Sequence, residues 1–457
     1  MAIQHDALGE IDIPDGALWG ASTARAVLNF PVSGHRLPAA FVRALGLVKF
    51  ATAEVNGDLG RLSPAKVALI QRVAREVVEG GLLAQFPLDV FQTGSGTSTN
   101  MNFNEVVVAR AAQLSPAEKL HANDDVNLSQ SSNDVIPSAL HVSVVLALRD
   151  DLLPALAVLH DALDDKARCW ATVVKPGRTH LMDATPVTLG QEFSAFATQI
   201  SKATARARRG MRLLSELAIG GTALGSGLNA PPGFDTRVCA VLSRETGFVF
   251  QPAANHFEAQ AARDDCVEVA GQLATIAASL TKLANDVRLL GSGPHAGFAE
   301  LRLPTLQAGS SIMPGKVNPV MSEMLIQIGL YVQGLAQTVM ACGREGQLQL
   351  NATLPLQAYC LHEAIGCLAR GAQLFATRCV TGLVADTERC AALAGASLAR
   401  VTALTPRLGY ELAAELAHQA DSEGVPLRDI VLRRALIPAA ALDILLDPLA
   451  MTHPPSE

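Results

Sequence analysis

The sequence predicts a mainly α-helical fold built around a bundle of long helices, on three observations. Hydrophobic residues make up 49% of the chain and aromatics only 4%. The apolar material is therefore mainly Ala, Leu and Val, which favours helices packed through small side chains over a sheet of β-branched and aromatic residues. Several segments, rich in Ala, Leu and Val, run with few internal breakers: Leu140 to Leu163, Phe257 to Leu290, Val320 to Met340 and Ala358 to Leu383. Finally, 457 residues exceed what one ordinary core accommodates, so two or three domains, or helices shared between subunits, are expected.

Along the chain, the stretch to about Asn127 mixes short helical segments with Gly/Pro punctuation, such as Pro14-Asp15-Gly16, and a polar run from Thr93 to Asn102. The long apolar segments follow from about Ser138. An unbroken helix over 257–290 would extend roughly 50 Å at ~1.5 Å per residue. Such a rod does not fit inside a compact monomer. Apolar residues on more than one side of these segments imply a bundle extended across subunits. After Asp386 shorter helices are interrupted at Thr405-Pro406 and Gly424-Val425-Pro426. The expected division is an N-terminal domain over 1–130, a central helical-bundle domain over 131–387 and a small C-terminal helical domain over 388–457.

Composition excludes several function classes. The net charge is -7, and no basic block tracks a phosphate backbone. Arg206, Arg208, Arg209 and Arg212 have the spacing of a solvated helix face, so no nucleic-acid partner is expected. The start, MAIQHDALGE, lacks a basic and then apolar leader, and no run reaches the uninterrupted apolar length of a membrane span. The expectation is a soluble, cytoplasmic chain with no membrane partner. The eight cysteines, at 169, 239, 266, 342, 360, 367, 379 and 390, form no Cys-x-x-Cys pair and read as buried reduced thiols.

Four polar or Gly-rich segments interrupt the helical text: Thr93 to Asn100, Ser129 to Asp134, Gly177 to His180, and Gly309 to Pro319. Any one is explained by turns and caps. Together they hold hydroxyls, amides, a lysine and a histidine, the groups that bind carboxylates and move protons. Gly309 to Lys316 is not a phosphate loop, because it has one residue too many between the glycines and Val317 where Ser or Thr would ligate magnesium. Neither Gly94-Ser95-Gly96 nor Gly225-Ser226-Gly227 fits a Gly-x-Ser-x-Gly elbow. Asp124/Asp125, with only His121 nearby, and Asp264/Asp265, with only His256, read as solvated or capping groups, so no metal and no cofactor is expected.

The string GSSIMPGKVNP at 309–319 resembles the signature loop of the fumarase/aspartase superfamily. The likeness extends through LWGAST, TGSGTSTNMN, HANDDVNLSQSSND, GRTHLMDATPVTLGQE, GGTALGSGLN and KLANDVRLLGSGP, in the family's order. TGSGT, DDVN, SSND and NHFEAQAARD are closer to class II fumarases than to aspartases. The resemblance implies a three-domain fold with a central long-helix bundle, a homotetramer with active sites built from three subunits, and a small dicarboxylate substrate. It implies reversible anti addition of water to fumarate, giving malate through an aci-carboxylate intermediate.

By the same resemblance Ser310 is the base, and Lys316 and Asn318 hold the carboxylate that gains charge. His180, paired with Glu323, delivers a proton to the departing hydroxyl through a water. Ser95, Thr97, Ser131, Ser132, Asn133 and Thr179 bind substrate, and His121, Asn123 and Asp124 match a second, non-catalytic dicarboxylate site. Relatives often carry a basic residue shortly before that histidine, whereas Glu118 stands three places upstream here with Lys119 beside it. His295, Met182 and the stretch 347–355 also depart from the usual pattern. Aspartate ammonia-lyase activity, or hydration of a substituted C4 dicarboxylate, is the alternative chemistry. A catalytically silent structural protein on the same fold is the remote one; Ser310, His180 and Lys316, whose loss it would require, are all present.

Overall fold

The computed structural model describes residues 2–6 and 8–453. Helices dominate, and the strands form five two-stranded sheets. The chain divides into two compact units. One comprises Met1–Pro154, Thr204–Ala277 and Ile328–Ala369, the other Ala155–Ala203, Ala278–Gln327 and Arg370–Glu457.

In the first unit the helix Ala39–Asp58 buries Phe41, Leu45, Val48 and Val55 and packs against Pro64–Glu79 and Ser132–Ala147. These N-terminal helices are longer than the short segments expected. The reason lies in Gly46, which resembles a breaker but permits close packing: a Cβ there would come within 3.0 Å of Val78 and 3.2 Å of the Ala74 carbonyl. The polar run after Thr93 is not all loop either, since the helix Thr97–Leu114 begins inside it.

The second unit contains the hairpin Val174–Thr179/Met182–Thr188. It also contains a C-terminal apolar cluster formed by Leu404, Leu416, Leu427, Ile430, Val431 and Leu442 among others. Long helices recur as expected at Val320–Arg344 and Leu354–Arg378. Leu140 to Leu163 lies within Ser132–Ala147, a π-helical turn at Leu148–Leu152, and Leu153–Cys169. The unbroken helix expected over 257–290 is two helices, His256–Ala261 and Asp264–Leu290, separated by Ala262, in an extended conformation, and Arg263. Asp264 and Asp265 explain the break, because acidic residues in a first turn favour the positive end of a new helix. At ~1.5 Å per residue the longer piece still spans roughly 40 Å.

Of the cysteines, Cys239, Cys266, Cys342, Cys360, Cys379 and Cys390 are buried, whereas Cys169 is exposed and Cys367 half-buried. Arg208, Arg209 and Arg212 sit on the solvated face of the helix Leu189–Leu213, with Arg206 half-buried.

Candidate active site

The sequence-predicted residues fall in both units. In the first, Gly94 lies so close to Ala352 that a Cβ would be 1.7 Å from its carbonyl oxygen, so only glycine fits. Gly96, at φ 74°, turns the chain into the helix that begins at Thr97. A row of hydroxyls follows: Ser95 Oγ is 2.9 Å from Thr97 Oγ1, which is 2.7 Å from Ser132 Oγ. Two segments distant in sequence are thus brought together.

Ser131 caps the helix Ser132–Ala147 in a reciprocal capping box, with Asp134 accepting the Ser131 N–H at 2.9 Å. The other Asp134 oxygen accepts from the Gly220 and Thr222 N–H groups at 3.0 and 2.9 Å, and Asn133 Nδ2 donates to Ala223 O at 2.9 Å. The result is a helix N-terminus flanked by hydroxyls and an amide, which complements a carboxylate.

Beneath this surface lie two buried charged groups that the sequence did not single out. Lys49 donates to Asn127 Oδ1 and Gln130 Oε1, both at 3.0 Å. Burial pulls its ammonium down to about 7, opposed by the charge of Asp134. Burial also pushes Asp134 up to about 7, against the pull of the Ser131, Thr222 and Gly220 N–H groups and of Lys49. The sequence signal was a lone lysine in the apolar text GLVKFATA.

In the second unit His180 and Leu181 form the two-residue turn of the hairpin, at φ 57° and 62°. Two successive positive φ values give the twist a tight hairpin needs, but non-glycine residues there cost roughly 1–3 kcal/mol each. His180 is thereby held exposed at a tip, with Thr179 and Met182 paired just below. The base of the hairpin is anchored by ions. Lys175 Nζ is 2.8 Å from Glu192 and 3.1 Å from Glu300, and Arg178 is 2.7 Å from Glu300. Arg178 also lies 4.0 Å over the Phe298 ring. Burial pushes the Glu192 carboxyl up, while the Lys175 charge opposes it.

The Gly309 to Pro319 loop is closed on itself. Gly309 N donates to Lys316 O at 2.9 Å, and Asn318 Nδ2 donates to Gly309 O at 2.6 Å. Ser310 Oγ accepts two backbone N–H groups, from Ile312 at 3.2 Å and Met313 at 3.0 Å. Such donors favour an oxyanion over a neutral hydroxyl. Lys316 is exposed and lines a cavity of about 650 Å³ with His295 and Arg302. Glu323 stands exposed in the first turn of Val320–Arg344.

A family model described as Lyase matches residues 9–334, and one described as Fumarase C C-terminus matches residues 401–453. The class II fumarate hydratase of Mycobacterium tuberculosis is 52% identical over 98% of this chain and 95% of its own length. That of Corynebacterium efficiens is 49% identical over 99% and 96% respectively. The crystal structure of a class II fumarase from Schistosoma mansoni superposes with a TM-score of 0.96 at 37% identity, covering 99% of each chain. The chain belongs to the class II fumarases.

The fumarase signature residues sit at loops and helix starts, and not all of them are engaged within one chain. Among the described residues, no hydrogen bond or ion pair joins His180 to Glu323, the pairing the resemblance implied. His121, Asn123 and Asp124 are exposed together on the π-helical turn Ala122–Val126. His121 Nδ1 is 3.1 Å from Asp124 N and 2.9 Å from Asp124 Oδ2. Asp125 is buried, accepts the His121 N–H at 2.8 Å and pairs with Lys66 at 2.8 Å. The two aspartates expected to act alike therefore divide, one solvated and one a capping group inside an ion pair.

Proposed function

We propose that this fumarase hydrates fumarate to malate with Ser310 as base, and the observation that carries this is the pair of N–H groups on Ser310 Oγ. A bare serine hydroxyl is far too weak a base at neutral pH, whereas an oxygen already facing two donors forms its alkoxide at lower cost. Ser311, its neighbour, is exposed. In the malate-to-fumarate direction the Ser310 alkoxide removes a C3 proton, and the electron pair passes into the adjacent carboxylate, giving the dianionic aci-form. Lys316 and Asn318 stabilise that charge as it develops. The C2–O bond then breaks anti to the lost proton, and His180, oriented by Glu323, supplies the proton that lets hydroxide leave as water. Ser95, Thr97, Ser131, Ser132, Asn133 and Thr179 hold the substrate.

The active form in this proposal is a homotetramer whose sites take residues from three subunits. Its support is the unengaged His180, Lys316 and Glu323 in one chain, together with exposed Leu330, Tyr331 and Met340 on the helix Val320–Arg344. That helix is the one described helix long and apolar enough to cross a membrane by length and composition. We assign its apolar surface to neighbouring subunits and the enzyme to the cytoplasm. The C-terminal apolar cluster supports a domain division near 388, with 1–130 and 131–387 preceding it, and the exposed turn at His121 to Asp124 supports a second dicarboxylate site.

Two measurements test the proposal. Absorbance change with fumarate, malate and aspartate in turn should show turnover of the first two only; ammonia release from aspartate would overturn the assignment. Refolding a His180→Asn variant together with a Ser310→Ala variant should restore activity above either alone. Full activity in a monomeric fraction would contradict shared sites.

A further inference from the structure

We infer that Lys49 is a positioning residue whose ammonium sets the spacing between the Thr97 turn and the Ser131–Asn133 turn and so governs dicarboxylate affinity. The inference rests on the substrate-site assignment above. Lys49 lies on the helix Ala39–Asp58 and is 0% exposed. Its two acceptors are the side chains of Asn127 and Gln130, both at 3.0 Å. Gln130 directly precedes Ser131, and its amide is fixed by bonds to the Val126 and Leu128 carbonyls at 3.1 and 3.0 Å. Asn127 Oδ1 accepts from Asn100 Nδ2 at 3.0 Å as well, and Asn100 stands in the first turn of the helix that opens with Thr97. One nitrogen thus reaches both substrate-binding segments through a single amide on each side. Asn56, two turns further along the same helix, grips the strap between them by donating to Leu128 O at 2.9 Å and accepting from Ser129 Oγ at 2.8 Å.

A buried ammonium is costly, and a methionine of similar length would fill the same space without that cost. What the lysine adds is donors in fixed directions, since its charge is opposed by that of Asp134. Those donors brace the approach to the N-terminus of the helix Ser132–Ala147, which itself favours an anion. Lys49 does not touch the reacting atoms, so it acts on binding through Asn127, Gln130 and the two turns.

The test uses the full-length enzyme and two replacements, Lys49→Met, which removes donors and charge, and Lys49→Gln, which keeps donors. Steady-state rates with fumarate and malate are measured, together with calorimetric binding of succinate, a dicarboxylate that does not react. Lys49→Met should raise KM and weaken succinate about tenfold or more, with kcat within about threefold of the parent, and Lys49→Gln should recover part of the loss. A purely structural role would lower the active fraction, and hence kcat, at unchanged KM; that result overturns the inference. If neither Lys49 variant folds, Gln130→Met, which removes one acceptor, decides: unchanged KM and succinate affinity reject the inference. Thr97→Ala and Asn133→Ala separate the two levels. Should these leave KM and succinate binding untouched, the substrate-site assignment fails; should they weaken both while Lys49→Met does not, only the role of Lys49 fails.

Discussion

The polar floor beneath Thr97 and Ser131 and the support of the His180 hairpin solve one problem, holding polar groups still at the edge of an apolar core, by different means. The floor bonds each buried charge to neutral partners, Lys49 to two side-chain amides and Asp134 to three backbone N–H groups, and sets the two charges against one another through space. The hairpin uses charges satisfied by charges, with Glu300, 0% exposed, between Lys175 and Arg178. In the floor the anion-favouring group is the N-terminus of the helix Ser132–Ala147, with the Lys49 and Asp134 charges opposed beneath it. In the hairpin the cations and carboxylates neutralise one another directly below the turn. Under the proposed mechanism, the comparison teaches that binding and proton transfer would rest on differently charged foundations.

The largest effect should come from neither foundation but from the Ser310 loop. Ser310→Ala should lose about 10²–10⁴ in kcat, the usual contribution of a positioned general base, while succinate binding stays within a few-fold of the parent. Comparable malate turnover in the variant would remove Ser310 from the mechanism, with Ser311 the first alternative to replace. Next, Glu300→Gln should destabilise the fold by about 3–5 kcal/mol, since it leaves two buried cations short of a counter-charge. Asp134→Asn should cost about 1–3 kcal/mol, because an amide still accepts some of the three N–H bonds. Denaturant midpoints check the order, and a larger loss in Asp134→Asn would break the contrast between the regions.

The smallest effect concerns pH. In the first unit burial holds His362 down to about 4, and burial, followed by the charge of Arg263, holds His141 down to about 3, both from 6.5. A folded-state pKa below the unfolded one means the unfolded chain takes up the proton first as pH falls. The stability from these neutral imidazoles is therefore whole above about pH 6.5 and is lost progressively below it. His362→Gln should reduce the acid slope of unfolding free energy between pH 6.5 and 4 by up to about 1.4 kcal/mol per pH unit. Denaturant titrations at four or five pH values measure that slope, and an unaltered slope would show that His362 is already charged in the fold.

What was legible in the sequence follows from how far each feature reaches along the chain. The Ser310 loop and the His180 segment stood out because each is a short contiguous string resembling a family motif, and the loop's own bonds, Gly309 to Lys316 and Asn318 to Gly309, close within ten residues. Long apolar helices were equally plain. Lys49 was not, because its bond to Asn127 spans 78 positions and a lysine in a helix gives no sign of whether it faces solvent. Glu300 is hidden in the same way, 122 positions from Arg178. The break at Ala262 was missed although Asp264-Asp265 marks a helix start, because Ala-rich text on both sides hides a single extended residue. The packing role of Gly46 was hidden too, since a glycine that ends a helix and one that admits a neighbouring helix look identical without coordinates.

The bond from Gly309 N to Lys316 O works as a clasp. It fastens the two ends of the loop together, so the residues that carry the serine and the lysine are tied by one short backbone bond. The enclosed residues Ile312 and Met313 are exposed, and their side chains are free to vary so long as their backbone N–H groups still point at Ser310. Position 309 has no such latitude: a Cβ there would stand 2.3 Å from the Lys316 oxygen and force the clasp open. A side chain at 309 should therefore cost the loop its closure even where every other residue of it is kept.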